Sequence, residues 1–305
     1  MAVYNKSGET LTSVFDSEGS SVISAYDIDG NNVYSSSPFP LNYDDYTMSS
    51  LYNISVRNCQ GIAVHNDVLF QFRGGGGISD TLCLYSFING GAVALNMSIT
   101  SDHGDSATFS DEYYSSSDEF PLIYVTADTT PAKIYVNRVT RSSATLVKTL
   151  KFPQSAGYYG AGAFDWDNAI CYLLAYKKNN YQTDDSGTNT TIVSKWDISN
   201  LTDNGDGTYT PAFIDQYERA FIYVMQGLAY HDGMVWISSG YSGSTSYIYA
   251  MNPSTGDILH TITMDATEVE GLDFVFDSIT NTYYMVTGQQ GGVYKKYTFS
   301  RSTDQ

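Results

Sequence analysis

Five glycines constrain this chain more than any other feature: Gly61, Gly104, Gly162, Gly227 and Gly271. They sit in similar phrases, Gln60-Gly61-Ile62-Ala63, His103-Gly104-Asp105-Ser106-Ala107, Gly160-Ala161-Gly162-Ala163-Phe164, Gln226-Gly227-Leu228-Ala229 and Glu270-Gly271-Leu272-Asp273. Successive glycines stand 43, 58, 65 and 44 residues apart. A four-stranded propeller blade takes about 40–50 residues, so the short steps match one blade each. The longer steps carry polar insertions at 111–119 and 179–189. A glycine here marks the start of a blade's innermost strand, because only a residue without Cβ lets several blades approach so closely.

The intervening sequence supports strands throughout. Apolar and polar residues alternate in short runs separated by Gly, Asn, Asp and Ser, as in the stretches 62–70 and 233–238. Further strands are expected at 122–126, 133–139, 169–176, 192–197, 247–252, 283–287 and 294–299. Asp203-Asn204-Gly205-Asp206-Gly207 reads as a tight hairpin turn. The bulky second strands, such as Val235-Trp236-Ile237, are expected to fill the space between blades. A ring needs sealing, and residues 43–50, with Tyr43, Tyr46 and Met48, are expected to pair beside 293–299 in the last blade.

The N-terminus has a different period. Tyr4, Phe15 and Tyr26 recur every 11 residues, as do Gly8, Gly19 and Gly30, and Leu11, Val22 and Val33. Units this small do not bury a core alone, so the segment must pack on neighbours, another subunit or a larger assembly. Ser35-Ser36-Ser37-Pro38-Phe39-Pro40 follows as a flexible then extended hinge. The expected fold is therefore all-β: an eleven-residue β-repeat attachment arm at 1–36, a linker at 37–42 and a five-bladed β-propeller at 43–300. A single Trp196-Asp197 does not make a seven-bladed WD40 ring, and the Ser-x-Asp-x-Gly-x-Thr-Trp boxes of six-bladed sialidases are absent.

Charge excludes some partners. Thirty-three acidic residues against 15 Lys and Arg give −18, which disfavours nucleic acid and anionic membrane surfaces. Twenty-seven tyrosines make the chain too aromatic for a disordered one. Cys59, Cys83 and Cys171 form no Cys-x-x-Cys and read as ordinary thiols. The N-terminal residues show no apolar signal-peptide core, and no stretch is long and apolar enough to insert in a membrane.

The usual catalytic motifs are missing: no Gly-x-Ser-x-Gly, Walker loop or His-Glu-x-x-His occurs. Gly74 to Gly77 lacks the lysine of a phosphate loop and reads as a hairpin tip. His65-Asn66-Asp67 and His231-Asp232-Gly233 occupy equivalent first turns of two blades and read as structural, and His260 as a strand surface residue. His103 differs, since it opens a blade beside Asp105, where other blades carry Gln or Glu. It could bind a metal, act in acid–base chemistry or simply hold neighbouring blades. Asp105, Asp165, Asp167, Glu270 and Asp273 are all expected near blade openings, so a carboxylate pair for glycan hydrolysis is conceivable there. Gln60, His103, Gln226 and Glu270 are expected around one channel mouth, with Asp105 and Asp273 beside it and at least one carboxyl pKa raised. Tyrosines amid Ser, Gly and Asn, including Tyr158, Tyr159 and Tyr241, suit an adaptable recognition surface. No cofactor is expected. Calcium is possible at the turn-forming Asp27 and Asp29, or at Asp203 and Asp206, although the EF-hand's later ligands are lacking.

The phrases around Gln226-Gly227-Leu228, His231-Asp232-Gly233, Ser239-Gly240-Tyr241-Ser242-Gly243, Tyr249-Ala250-Met251-Asn252-Pro253 and Glu270-Gly271-Leu272 resemble tail-associated propellers of gut-bacterial phages and prophages. His103-Gly104-Asp105 resembles the His-Gly-Asn element of five-bladed, teichoic-acid-biosynthesis-C-like propellers in staphylococcal phage receptor-binding proteins, with Asp105 in place of Asn. The resemblance covers roughly residues 41–299. It implies a virion location, recognition of a host cell-surface carbohydrate or wall polymer, and contact with other virion proteins through the N-terminal arm. It implies no defined catalytic set. A non-binding virion decoration protein, and a glycan hydrolase or lyase using His103, Asp105 and Glu270, are the alternatives.

Overall fold

The computed structural model describes residues 24–26, 32–35, 41–53, 59–73, 81–88, 97–101, 103–127, 129–178, 189–221, 224–240, 245–264, 268–277, 281–290 and 292–301. Tyr241, Asp27, Asp29, the four-glycine run and most of the eleven-residue repeats lie outside them. Among the described residues the single helical element is a 3₁₀ turn at Gln154–Ala156; everything else regular is strand.

Strands β1 (Ser24–Tyr26) and β2 (Asn32–Ser35) pair as a two-stranded sheet. Strand β3 (Leu41–Asn53) precedes a series of antiparallel meanders. The first comprises β4 (Cys59–His65), β5 (Val68–Arg73), β6 (Thr81–Phe87) and β7 (Met97–Ile99). The second comprises β8 (His103–Phe109), β9 (Ile123–Ala127), β10 (Lys133–Val139) and β11 (Ala144–Lys151). The third comprises β12 (Tyr158–Asp165), β13 (Ile170–Tyr176), β14 (Asn189–Asp203) and β15 (Thr208–Phe221). It joins the second into one eight-stranded sheet through a short parallel pairing of Thr149 with Thr208 and Leu150 with Tyr209. The fourth comprises β16 (Met225–His231), β17 (Met234–Ser239), β18 (Ser246–Met251) and β19 (Ile258–Met264). The last comprises β20 (Val269–Asp277), β21 (Thr282–Gln289) and β22 (Val293–Arg301), completed by β3 on its outer edge. Tyr46 faces Phe299 and Met48 faces Tyr297 across that pairing, as expected of a closing strand.

Packing explains the sequence of each strand. The second strand of a meander is covered on both faces by neighbouring meanders, so it is mostly apolar and buried along its length. Ile170–Tyr176 and Met234–Ser239 are buried at every position. The outer strand β19 instead alternates, with Ile262 and Met264 buried and Leu259, Thr261 and Thr263 exposed. Five apolar cores result, each between two meanders. Phe70 and Phe72 meet Phe109 and Phe120 between the first and second. Ile134 and Phe152 meet Leu173 and Trp196 between the second and third. Leu174 and Tyr176 meet Val235 and Ile237 between the third and fourth. Trp236 and Ile248 meet Met285 and Phe299 between the fourth and last. Val286 and Tyr294 meet Ile62 and Leu69 between the last and first. The sheets therefore pack in a propeller-like series whose last member returns to the first.

Cys83 and Cys171 are buried free thiols in these cores, and burial pushes both thiol pKa values up.

Candidate functional site

The openings of strands β4, β8, β16 and β20 lie close together and form a neck, which β12 joins at Gly162. A Cβ on Gly61 would lie 2.5 Å from the Gly104 carbonyl oxygen. One on Gly227 would lie 2.7 Å from the Glu270 oxygen, and one on Gly271 2.6 Å from the Ile62 nitrogen. Backbone meets backbone here, which is why these positions exclude any side chain. Gly162 is different: a Cβ there would point at Ile134, Phe164 and Cys171 inside a core. Its phrase opens β12 as expected, but its glycine is required by packing between sheets. Ser106 occupies the same level and ties three meanders together. Its hydroxyl bonds the Leu228 carbonyl at 2.9 Å and reaches the Gly162 carbonyl at 3.4 Å.

The neck holds a polar network. Gln226 Nε2 donates to Glu268 Oε1 at 3.2 Å and to the Gly240 carbonyl at 3.1 Å. His103 Nδ1 lies 3.1 Å from Asp105 Oδ1. Glu270 is only 2% exposed, and burial first, then the charges of Glu268 and Asp105, push its pKa up to about 9, while His103 pulls it down. The sequence thus placed His103, Asp105, Gln226 and Glu270 in one neighbourhood but missed Glu268. Gln60 precedes the Gly61 that touches the backbone of Gly104 and Gly271, so it belongs to the same level. The raised carboxyl pKa is present, with desolvation rather than mutual repulsion as its main cause. Tyr158 and Tyr159 open β12 half-buried, Tyr159 with a left-handed φ of 51°.

The other ends of the same strands diverge around a cavity of about 540 Å³, within the range of small-ligand sites. Every meander contributes to its lining: Val64 and His65, Thr108 to Ser110, Phe164 to Asp167, Tyr230 to Asp232, and Asp273 with Phe274 and Tyr283. Leu41 and Tyr43 of the closing strand complete it. Asp165, Asp167 and Asp273 lie here, not at the neck where they were expected. Asp273 is three residues beyond Glu270 on one strand, roughly 10 Å at the rise of an extended chain.

Each lining group has a fixed setting. Asp273 lies deep, with part of its surface open to the cavity. It accepts the Val64 amide at 2.7 Å and the Phe274 amide at 2.8 Å, so it straps the last meander to the first. Burial pushes its pKa up to about 7, against the lowering effect of those two amides. His231 stacks on Phe274 with centroids 4.1 Å apart and meets Tyr283 edge-on at 4.4 Å. Burial lowers its pKa to about 3, and burial also lowers that of His65 against the pull of Glu119. Both imidazoles are therefore neutral at pH 7. Asp165 accepts the Asn168 side chain at 2.9 Å and hydrogen-bonds Tyr230, whose phenol pKa rises chiefly through burial. Tyr43 donates to Asp232 at 3.2 Å. Trp166 stacks flat on Phe164 at 4.8 Å and stays half-exposed, while Asp167 beside it is exposed. Among the described residues none that lines the cavity is Lys or Arg. The cavity thus offers aromatic faces and carboxylates with no side-chain cation.

Asp203 and Asp206 lie far from both places, in the β14–β15 turn. Asp203 accepts the Gly205 amide at 2.8 Å, and Asp206 accepts the Thr208 hydroxyl at 2.6 Å. Their carboxylates hold the turn. Among the described residues no three His, Cys, Asp or Glu side chains are grouped as a metal site.

No family model matches the chain, and no curated protein is similar to it in sequence. Solved structures share its fold. The tail fibre of Staphylococcus aureus phage P68 superposes with a TM-score of 0.52 at 14% identity, over 86% of this chain and 54% of the fibre. A glutaminyl cyclase from Myxococcus xanthus gives 0.51 at 9% identity, over 86% of this chain and 99% of that one. The WD40 propeller domain of Doa1 gives 0.40 at 11% identity, over 83% and 96%. At TM-scores just above 0.5, the tail fibre and the cyclase share the overall fold of this chain.

Proposed function

We propose that this chain is a five-bladed β-propeller, carried on a phage or prophage particle, that recognises a host cell-surface glycan in the wide cavity. The cavity is the observation that carries this reading. Residues far apart in sequence bring half-exposed rings and carboxylates to one opening. Ring faces suit the C–H faces of sugars, and carboxylates accept from their hydroxyls. The five inter-sheet cores support the blade count, and the fold shared with a phage tail fibre supports the virion setting. The N-terminal repeats, residues 1–36, are the proposed attachment arm, joined by 37–42 to the propeller at 43–300.

The neck residues Gln60, His103, Gln226 and Glu270 serve this reading as ring-closing groups. Glu270 lies beneath touching backbones with 2% exposure, so a saccharide does not reach it. Hydrolysis by His103, Asp105 and Glu270 is correspondingly disfavoured.

A glycan array and binding to purified bacterial cell-wall polysaccharides test the proposal. Saturable binding by the full chain, weakened at least tenfold by a Trp166→Ala variant that stays folded, is expected. Absence of binding to any surface polymer by a folded sample overturns it.

A further inference from the structure

The wide cavity has an asymmetry of charge that a neutral-sugar site does not need. Four carboxylates, Asp165, Asp167, Asp232 and Asp273, come from three meanders to one opening. Three already hold protein donors: Asp165 takes Asn168, Asp232 takes Tyr43, and Asp273 takes two backbone amides. All of these donors are neutral, so hydrogen bonding is met while charge is not, except at Asp273, whose pKa of about 7 leaves it largely protonated in mildly acidic solution. The remaining groups facing Asp273 and its neighbours are His65, His231, Tyr43, Tyr230 and Tyr283. The phenols carry no positive charge, and burial lowers the pKa of both imidazoles, which favours their neutral form. Three aromatic surfaces, Trp166, Tyr283 and Phe274, border the same space.

Resting on the glycan-binding reading, we infer that the cavity takes an amino-sugar unit with a free, protonated amine. An ammonium group supplies the charge that the carboxylates lack, and aromatic faces attract it by cation–π interaction. Its sugar ring gives those same faces an apolar surface. Phosphate- or carboxylate-rich polymers meet like charge in the cavity and a molecule of net charge −18. An N-acetylated sugar keeps the shape and hydroxyls but loses the cation.

Calorimetric titration of the full chain with a glucosamine trisaccharide, its N-acetylated counterpart and glycerol phosphate tests this at pH 6.5 and low salt. The glucosamine form is expected to bind at least tenfold more tightly than the N-acetylated form, with glycerol phosphate not binding. That preference should shrink as salt screens the charges, and Asp167→Asn, an exposed and conservative change, should reduce it severalfold. Equal or tighter binding of the N-acetylated form, or binding of glycerol phosphate, overturns the inference and leaves the glycan-binding reading standing. If neither trisaccharide binds while a purified wall polysaccharide does, the inference again fails alone. If no polysaccharide binds at all, both fail.

Discussion

Two buried carboxyls dominate the chemistry of single residues. Glu270 and Asp273 hold their protons in the folded protein up to about pH 9 and about pH 7. In the unfolded chain they release them near pH 4. The folded state therefore binds more protons across that interval, and stability falls as pH rises through it. Asp118 and Glu119 act oppositely: Arg138 and Arg141 lower their pKa values, and their contribution is lost only in acid, below about pH 4. Thermal melts should show a higher Tm at pH 5 than at pH 8.5. Glu270→Gln removes the ionisation at nearly unchanged size, and should raise the Tm at pH 8.5 with little effect at pH 5. Equal gains at both pH values would show that burial of charge is not the cause. At the neck, Gly61→Ala places a methyl 2.5 Å from a carbonyl oxygen. A cost of about 3 kcal/mol is expected from overpacking that backbone can relieve only by moving, read by denaturant unfolding; a cost under about 0.5 kcal/mol contradicts so close a contact. The glycine pattern made the neck legible, because the requirement for no side chain is written in residue identity. The far end was not legible: Asp273 lies beside Glu270 in sequence, and only strand direction separates them. A signal existed in the residues four beyond Gly61, Gly104, Gly162 and Gly227, namely His65, Thr108, Trp166 and His231, which all reach the cavity.

At the level of elements, alternation and turn residues located most strands. The stretches at 122–126, 133–139 and 294–299 fall within β9, β10 and β22 with little adjustment. The third meander was harder. A strand at 192–197 was expected, whereas β14 runs from Asn189 to Asp203 and β15 is nearly as long. A register shift between Asp197 and Leu201 lets β14 continue past Ile198, Ser199 and Asn200. Asp197 holds that irregular stretch by accepting the Ser199 hydroxyl at 2.6 Å. The closing strand was legible because its aromatics match those of β22. Deleting residues 1–36 should leave the Tm of the remainder within about 2 °C, since the propeller is proposed to begin after the linker. Deleting residues 1–53 also removes β3, exposing the apolar edge of β22 and uncovering Phe299. That truncation should yield aggregated or oligomeric protein in size-exclusion chromatography; a stable monomer would show that β3 is dispensable.

For the whole molecule, the starts of the inner strands close against one another and their far ends spread apart. Closure serves the ring, and divergence creates the cavity. The decisive measurement compares binding of one cell-surface polysaccharide by Trp166→Ala, which alters the wide cavity, and by His103→Ala, which alters the neck. The account predicts at least a tenfold loss for Trp166→Ala and less than a twofold change for His103→Ala, with both variants folded by circular dichroism. Loss confined to His103→Ala would place recognition at the neck and contradict it.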